Sequence, residues 1–545
     1  MDVPWKTRGQ AAVEVLLILA VFSLQGAWPV PDVNEPYYLG KAIHSWNPDW
    51  LRGDFFLGSA DTHQVFDFTF GWLSLWLGPT SLAWTGRVLT WLLLAWAWRR
   101  LSVAIVPRPW WSVLTAALFG CLTERCHMAG EWVIGGVEAK GFAYVLVLLA
   151  VESVVRNRWN RGLIQLGAAS AFHVLAGGWA AVAAGLAWFF LHFQTFWTGI
   201  AKGKQKIPTL RSLWPGLIFG LLLALPGIVP SLLLDWGVDR QTAAEAHRIY
   251  VFERLPHHLL LAGIQPALIA RMVALWLFWL LLGRWNSEQN RTRLRAFVAG
   301  AVAISMVGAL LQLTVFVDPT TAAGLLRFYW FRLTDVALPM GVALETVATV
   351  VGATSASASD DHRKTASRTV RVVGLTLAVL VAALHLGDLA SIRIRRPVPR
   401  SHRVVEGSAA SERRTADFAD WRDACRWVAD SGRIPSDARF LVPRLSQTFP
   451  WYAHRTVVAT VKDVPQDAKT LVQWWQRVND IYKTGLEPPE LRWYPSLAAA
   501  GVDRLQRWGK QYDAQFVLTE RTEPLLPLNV VYGNRGYVIY RLGGK

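Results

Sequence analysis

The chain has 545 residues, 53% of them hydrophobic and 17% charged, with a mean hydropathy of +0.26 and a formal net charge of +17. The apolar residues come in long runs, which excludes a string of soluble domains, because roughly 18 or more consecutive apolar residues cross about 30 Å of hydrocarbon as a helix. The positive charge does not point to nucleic acid: Lys and Arg sit in short loops between apolar runs, where membrane topology accounts for them. Three cysteines, Cys121, Cys126 and Cys425, are too few and wrongly spaced for a disulfide framework or a thiolate metal site.

In chain order, the first apolar run, 11–30, follows Lys6 and Arg8 and reads as a retained helix, since Trp28-Pro29-Val30 lacks the small residues of a cleavage site. Further spans are expected at 81–98, 109–123, 138–155, 162–176, 177–197, 213–234, 258–282, 297–317, 331–352 and 370–390, making about eleven. Residues 65–77 are apolar but stop at Gly78-Pro79, and read either as a twelfth span or as an interfacial helix. With the N-terminus cytoplasmic and 65–77 not crossing, the basic loops at 99–100, 156–158, 202–206, 291–295 and 363–364 all fall inside. Loops 31–64, 123–138, 235–257 and 318–332 then fall outside, as does the C-terminal region. The basic run 392–396 runs against that assignment. Residues 353–369 read as a flexible loop and 395–416 as a basic linker.

After the linker the pattern changes. Phe418 to Ala429 and Ala468 to Tyr482 read as amphipathic helices, and Arg439–Val442, Thr456–Val461, Gln515–Leu518 and Tyr537–Tyr540 as short strands. The expected fold is therefore a polytopic membrane helix bundle over 1–394, mainly α, with a small extracytoplasmic α/β domain over 417–545. The 30 tryptophans suit this, since indole favours the membrane interface.

The loops assigned outside mix carboxylates, histidines and arginines, whereas those inside are mostly plain Lys and Arg. Ionisable groups beside hydrocarbon pair or function, so their gathering at one face points to one polar cavity. His173, Glu345 and Asp388 fall within apolar runs and read as groups bonded to neighbouring helices. Arg332 and Asp335, three apart, form a candidate helix pair. Trp451 and Trp474-Trp475 read as core of the soluble domain.

The first outer loop carries the sharpest pattern. Asn34-Glu35-Pro36-Tyr37-Tyr38 follows the first helix directly. Asp49-Trp50-Leu51 and an aromatic run ending at Leu77-Gly78-Pro79 come next, and Arg87 opens the next helix. This order, over 11–100, resembles the class C (GT-C) membrane glycosyltransferases such as aminoarabinose transferases and protein O-mannosyltransferases. In that superfamily an acidic pair follows the first helix; here Glu35 matches the second acid and Asn34 replaces the first.

The resemblance implies transfer of a sugar from a polyprenyl phosphate or diphosphate carrier to an acceptor at the outer face of the cytoplasmic membrane. It implies that Glu35 or Asp61 acts as catalytic carboxylate, with Tyr37, Tyr38 and His63 around sugar and acceptor. Cations suit a leaving phosphate, and Arg254, His257, His258, Arg327 and Arg332 are the candidates. Glu35, Glu131 and Glu138 are candidate ligands of a divalent cation, Mg or Mn. The rival readings are a transporter or flippase of a lipid-linked or polar solute, which would need pseudo-symmetric halves that the sequence does not display, and a non-catalytic membrane-anchored binding protein.

Overall fold

The structure, a computed structural model, describes residues 8–198, 207–285, 288–352, 361–395, 398–402, 411–486 and 492–543. The expected loop 202–206 and the linker residues 396–397 and 403–410 lie outside the described residues, as do 353–360.

The bundle is built from long helices: α1 (Arg8–Gly26), α2 (Pro79–Ile105), α3 (Trp111–Arg125), α4 (Ala139–Val155), α5 (Trp159–Phe172), α6 (Val174–Thr198), α7 (Leu210–Leu233), α8 (Pro266–Leu282), α9 (Gln289–Leu311), α10 (Arg332–Gly352) and α11 (Asp361–Arg395). Each expected span corresponds to one of them. By length and composition seven of the described helices suffice to cross a membrane; α3, α4, α5 and α8 are shorter.

The borders differ where local chemistry overrides hydropathy. α2 runs on to Ile105, so Arg99 and Arg100 lie inside a helix instead of a loop. Their charge is met by carboxylates of other helices: Arg99 Nε donates to Glu14 at 3.1 Å and Arg100 to Glu152 at 3.3 Å. Likewise α9 starts at Gln289 and absorbs Arg291–Arg295, with Arg295 paired to Glu345. The span expected at 258–282 is shorter, because α8 starts at Pro266, a residue favoured in a first helical turn. Residues 361–369, expected as loop, already belong to α11.

Residues 65–77 do not cross. They form a helix, Gln64–Phe70, and a 3-10 turn, Gly71–Leu75, too short for about 30 Å of hydrocarbon. Phe68 and Trp76, each 70% exposed, project from it as interfacial aromatics do.

Close packing rests on small residues where hydrophobic burial cannot drive association. α5 and α7 meet backbone to backbone: a Cβ at Gly167 would lie 1.9 Å from the carbonyl oxygen of Gly220. A Cβ at Gly220 would lie 2.7 Å from that of Leu163.

The C-terminal domain contains α12 (Ser411–Asp430), β1 (Arg439–Leu441), β2 (Thr456–Val457), α13 (Ala468–Tyr482), α14 (Val502–Gln511), β3 (Phe516–Glu520), β4 (Asn529–Gly533) and β5 (Tyr537–Arg541). Its sheet has the order β2-β1-β3-β5-β4, with β2, β1 and β3 parallel and β5 antiparallel to both neighbours. Successive residues of a strand face opposite sides: Phe516 and Leu518 pack toward α12, whereas Val517 packs toward α13 and α14. Trp451, Trp474 and Trp475 are buried, as expected of core. β4 was not foreseen; it is an edge strand with exposed residues and carries little hydrophobic pattern.

This domain is seated on the helix ends. Ala246 and Ile249, from the segment after α7, share a core cluster with Leu471 and Trp474 of α13. Asp54 of the first loop, buried, accepts the Val457 N–H at 3.2 Å. Loops 31–64, 123–138, 235–257 and 318–332 therefore gather at the same end of the bundle as the C-terminal domain.

Replacing Gly220 by Leu forces the α5–α7 backbones apart and is expected to destabilise by on the order of 1–3 kcal/mol or more. Leu222→Phe, at a position 54% exposed toward lipid, is expected to be nearly neutral. Thermal unfolding of both variants in detergent checks the contrast.

Candidate functional site

Between the helix ends and the C-terminal domain lies a cavity of about 1270 Å³. Among the described residues its charged lining is Lys140, Arg254, Arg327, Arg332, Arg400, Arg444 and Lys462, with one carboxylate, Asp235. Tyr37, Tyr38, His63, His173, His257 and His258 also line it. Of the residues singled out in the sequence, the structure thus brings Tyr37, Tyr38, His63, Arg254, His257, His258, Arg327 and Arg332 to one wall, while the carboxylates Glu35, Glu131 and Glu138 lie behind it.

Glu35 is fully buried. Arg87 holds it in a bidentate pair, Nε and Nη2 each at 2.7 Å from a carboxylate oxygen, and the N–H groups of Asp32 and Val137 donate to it at 2.6 and 2.9 Å. Arg87 also donates to the Trp28 carbonyl. Asp32 forms a second fork, with Arg400 at 2.9 and 2.6 Å, and accepts the Gly136 N–H at 3.0 Å. Burial alone would raise the Asp32 pKa, but Arg400 and Arg87 outweigh it and hold the carboxyl below its usual range. A Cβ at Gly136 would sit 2.7 Å from Asp32 Cβ, so this glycine lets the two loops touch.

Glu131 and Glu138 do approach each other, on either side of Lys140, whose Nζ lies 3.7 and 3.4 Å from them. Glu138 also accepts from Asn34 Nδ2 at 3.1 Å and Trp132 Nε1 at 3.2 Å. The expected divalent cation does not fit Glu35, Glu131 and Glu138, because an ammonium already stands between two of them and a guanidinium occupies both oxygens of the third. Among the described residues no group of three or more His, Cys, Asp or Glu is placed to hold a metal ion.

Arg332 does not pair with Asp335, although their spacing allows it. Asp335 turns to the 123–138 loop and accepts the N–H groups of Met128, Ala129 and Glu131 at 2.7, 2.8 and 3.1 Å. Backbone donors that would otherwise be orphaned claim this carboxylate. Arg332 lies over the Tyr329 ring at 3.5 Å, its Nε 3.3 Å from Glu131.

Arg327 and His247 converge on Asp235, Arg327 at 2.8 Å and His247 Nε2 at 3.2 Å. Those hydrogen bonds, His247 first, hold the Asp235 carboxyl at about 2. Arg254 Nε donates to the Val461 carbonyl at 3.0 Å and so joins the bundle to the domain above. His258 contacts the Ala129 carbonyl through Nδ1 at 2.7 Å. Burial, and then Arg332 and His257, push its pKa down to about 2, so it stands in the wall as neutral imidazole.

Asp61 does not line the cavity but contacts His63, which does. Its Oδ1 lies 2.9 Å from His63 Nδ1 and accepts the His63 N–H at 2.9 Å. Burial would raise its pKa, but His63 and then Lys41 prevail and keep it at about 2. His173, expected in mid-membrane, instead sits at the break between α5 and α6, its ring centroid 5.4 Å from that of His63. Glu345, buried, pairs with Arg295 as expected; Asp388 pairs with Arg125 but is about half exposed, against the expectation of a buried acid. Arg400, Arg444 and Lys462 were not foreseen as site residues, because no motif surrounds them and they reach the cavity from the linker and the C-terminal domain.

Glu35→Gln is expected to lower stability by about 3–5 kcal/mol, the usual cost of stripping one partner from a buried ion pair. The joint Glu35→Gln, Arg87→Met variant is expected to recover part of that loss. Denaturation midpoints of the single and double variants check this; a neutral single variant would remove Glu35 from its anchoring role.

Comparison with known proteins adds little at this site. Residues 419–481 match a family model described as a domain of unknown function, DUF6798, running from within α12 to nearly the end of α13. No curated protein matches the sequence. The chain is similar to the crystal structure of ArnT from Cupriavidus metallidurans bound to undecaprenyl phosphate, at 14% identity, covering 98% of this chain and 97% of that one. The TM-score of that pair is 0.39, so it carries no argument about this chain.

Proposed function

We propose that this chain is a multi-pass membrane glycosyltransferase that takes a sugar from a polyprenyl phosphate carrier and transfers it to an acceptor in the cavity, at the extracytoplasmic face. The observation that carries the reading is the lining: among the described residues, seven Lys and Arg and one carboxylate, at the end of a membrane helix bundle. Such a site suits a lipid with an anionic headgroup. Its volume of about 1270 Å³ exceeds the roughly 300–1,000 Å³ of common small-ligand pockets and leaves room for two reactants.

The chemistry follows from the groups present. The acceptor oxygen bonds to the anomeric carbon as the bond from that carbon to the phosphate oxygen breaks, the electron pair leaving with the phosphate. Arg332, Arg327 and Lys140 hold that growing charge, supported from above by Arg400; preorganised cations are worth most in a site sheltered from water. The acceptor proton goes to His63. Asp61 engages Nδ1, leaving Nε2 for the reactant, and an ionised Asp61 stabilises the imidazolium that forms. Glu35, sealed behind the wall, positions the first loop.

Arg332→Ala is expected to weaken binding of polyprenyl phosphate, measured on protein in nanodiscs, by roughly 10- to 150-fold, the loss of one hydrogen bond to a charged group (about 1.5–3 kcal/mol). His63→Ala is expected to leave that binding intact and lower transfer by about 100- to 10,000-fold. Unchanged transfer by the His63 variant would exclude the imidazole as base. For topology, a reporter active on only one side of the membrane, fused after Lys545, is expected to signal from outside; a cytoplasmic signal reverses the assignment.

A further inference from the structure

Two imidazoles stand together in the cavity lining, and the mechanism above uses only one of them. The rings of His63 and His173 have centroids 5.4 Å apart and an interplanar angle of 38°. They come from distant segments, the turn before the helix Gln64–Phe70 and the break between α5 and α6. One aromatic cluster fixes their separation. Phe172, next to His173, stacks on Phe142 at 5.7 Å, and Phe142 packs against Phe66 and Phe70 of the helix that His63 precedes, at 5.9 and 6.0 Å. A Cβ on Gly177 would collide with the Ser170 backbone, so this glycine lets α6 start against the end of α5.

Neighbouring groups decide where each ring carries its proton. His173 is extended (φ −151°, ψ 102°) and precedes α6, whose first-turn N–H groups have no helical partner. Its Nδ1 accepts one of them, from Ala176 at 3.2 Å. An accepting Nδ1 has no proton, so the neutral ring carries its proton on Nε2, as a donor. In His63 the order is reversed. The Asp61 carboxylate, 2.9 Å from Nδ1, claims a proton there. Gln466 Nε2 lies further from the same nitrogen, at 3.3 Å, and as a donor cannot bond a nitrogen that already carries a proton. His63 Nε2 is therefore bare, an acceptor. Among the described residues neither Nε2 has a protein hydrogen-bond partner.

We propose that His173 is the hydrogen-bond donor that holds the attacking oxygen of the acceptor, and that the acceptor is therefore a hydroxyl compound and not an amide. The inference rests on His63 acting as base in the proposed reaction. Two nitrogens bridged by one oxygen stand about 5–6 Å apart, a span within reach of two rings whose centroids are 5.4 Å apart. The acceptor O–H donates to His63 Nε2 while His173 Nε2–H donates to the same oxygen. The proton passes to His63 and a lone pair of the oxygen forms the bond to the anomeric carbon. The bond from that carbon to the phosphate oxygen breaks, its electron pair going to the phosphate. His173 keeps its proton throughout; it orients the oxygen and stabilises the charge that gathers there as the O–H bond weakens. A hydroxyl oxygen has a second lone pair for this bond. An amide nitrogen has one, delocalised into its carbonyl, and none remains for His173 once it attacks. The donor is then left unpaired in a sheltered site, which is how a polar site rejects a wrong substrate.

The test uses the full-length protein in nanodiscs and two readouts. The first needs neither substrate nor activity: nitrogen NMR of histidine-labelled protein at neutral pH, with the two signals identified by their loss in His63→Ala and His173→Asn. A protonated Nε2 and a bare Nδ1 are expected for His173, and the reverse for His63. The same tautomer in both rings, or a charged His173, overturns the inference whatever the enzyme does. The second is kcat/KM for transfer from a polyprenyl phosphate sugar to two probes of one chain length, octan-1-ol and octanamide. The wild type is expected to favour the alcohol by at least about 10-fold. His173→Asn is expected to lower transfer to the alcohol by about 10- to 100-fold, the cost of a misplaced reactant. Asparagine still accepts the Ala176 N–H as a helix cap but is too short to place a donor beside His63. A residue that only caps α6 would leave transfer by this variant unchanged, and that result overturns the proposal. Added to His63→Ala, His173→Asn should cost little more. Equal transfer to both probes overturns the acceptor class, and this ratio and the tautomers decide where His173→Asn misfolds. Transfer to neither probe overturns the transferase reading, and the role of His173 with it, but leaves the fixed donor standing.

Discussion

The arrangement depends on two buried guanidinium–carboxylate forks around the first loop, Arg87 on Glu35 and Arg400 on Asp32. Each draws in backbone N–H groups from a third segment, Val137 for Glu35 and Gly136 for Asp32. Together they tie four parts of the chain, the loop after α1, the start of α2, the 131–138 loop and the segment leading to the C-terminal domain. Buried ion pairs are poor sources of net stability, since desolvation consumes most of the Coulombic gain. Their value here is geometric: only one register of these segments satisfies all the donors and acceptors, and every other register leaves a charge buried alone.

That constraint separates the charges at this end of the molecule. Carboxylates are consumed behind the wall, Glu35 by Arg87, Glu131 and Glu138 around Lys140, and Asp335 by three backbone N–H groups. Lys140, Arg332 and Arg400, bonded to carboxylates behind the wall, line the cavity from both sides of the interface. Asp235, the one acid among the described lining residues, is itself held by Arg327 and His247.

The C-terminal domain takes part in the site. Arg444, Lys462 and Gln466 line the cavity from above, beside Arg400 of the linker, and Gln466 accepts the Thr62 N–H of the first loop at 2.9 Å. The domain's core is continuous with Ala246 and Ile249 of the segment after α7. A site built from both halves requires that they hold a fixed relation, which the forks and this shared core supply.

Hydropathy by itself determined the membrane character, the helices, and which loops lie on a common side, because lipid imposes the same length and apolarity on every span whatever its neighbours. Alternation and amphipathic period likewise marked α12, α13 and most strands of the soluble domain, but not β4, whose exposed residues carry little pattern. The mixed charges of the loops 31–64, 123–138, 235–257 and 318–332 pointed to a polar cavity, and Tyr37, Tyr38, His63, Arg327 and Arg332, singled out in the sequence, line the cavity found there. What only the tertiary structure decided is the role of each charge. Asp335 could have paired with Arg332 by spacing, but three backbone donors from a distant loop claimed it. Glu35 could have faced the cavity, but Arg87, 52 residues away, sealed it in. The physical reason is that a buried charge acts through whichever partner reaches it, and such partners come from anywhere in the chain, whereas lipid exposure is a local property that each segment carries in its own sequence.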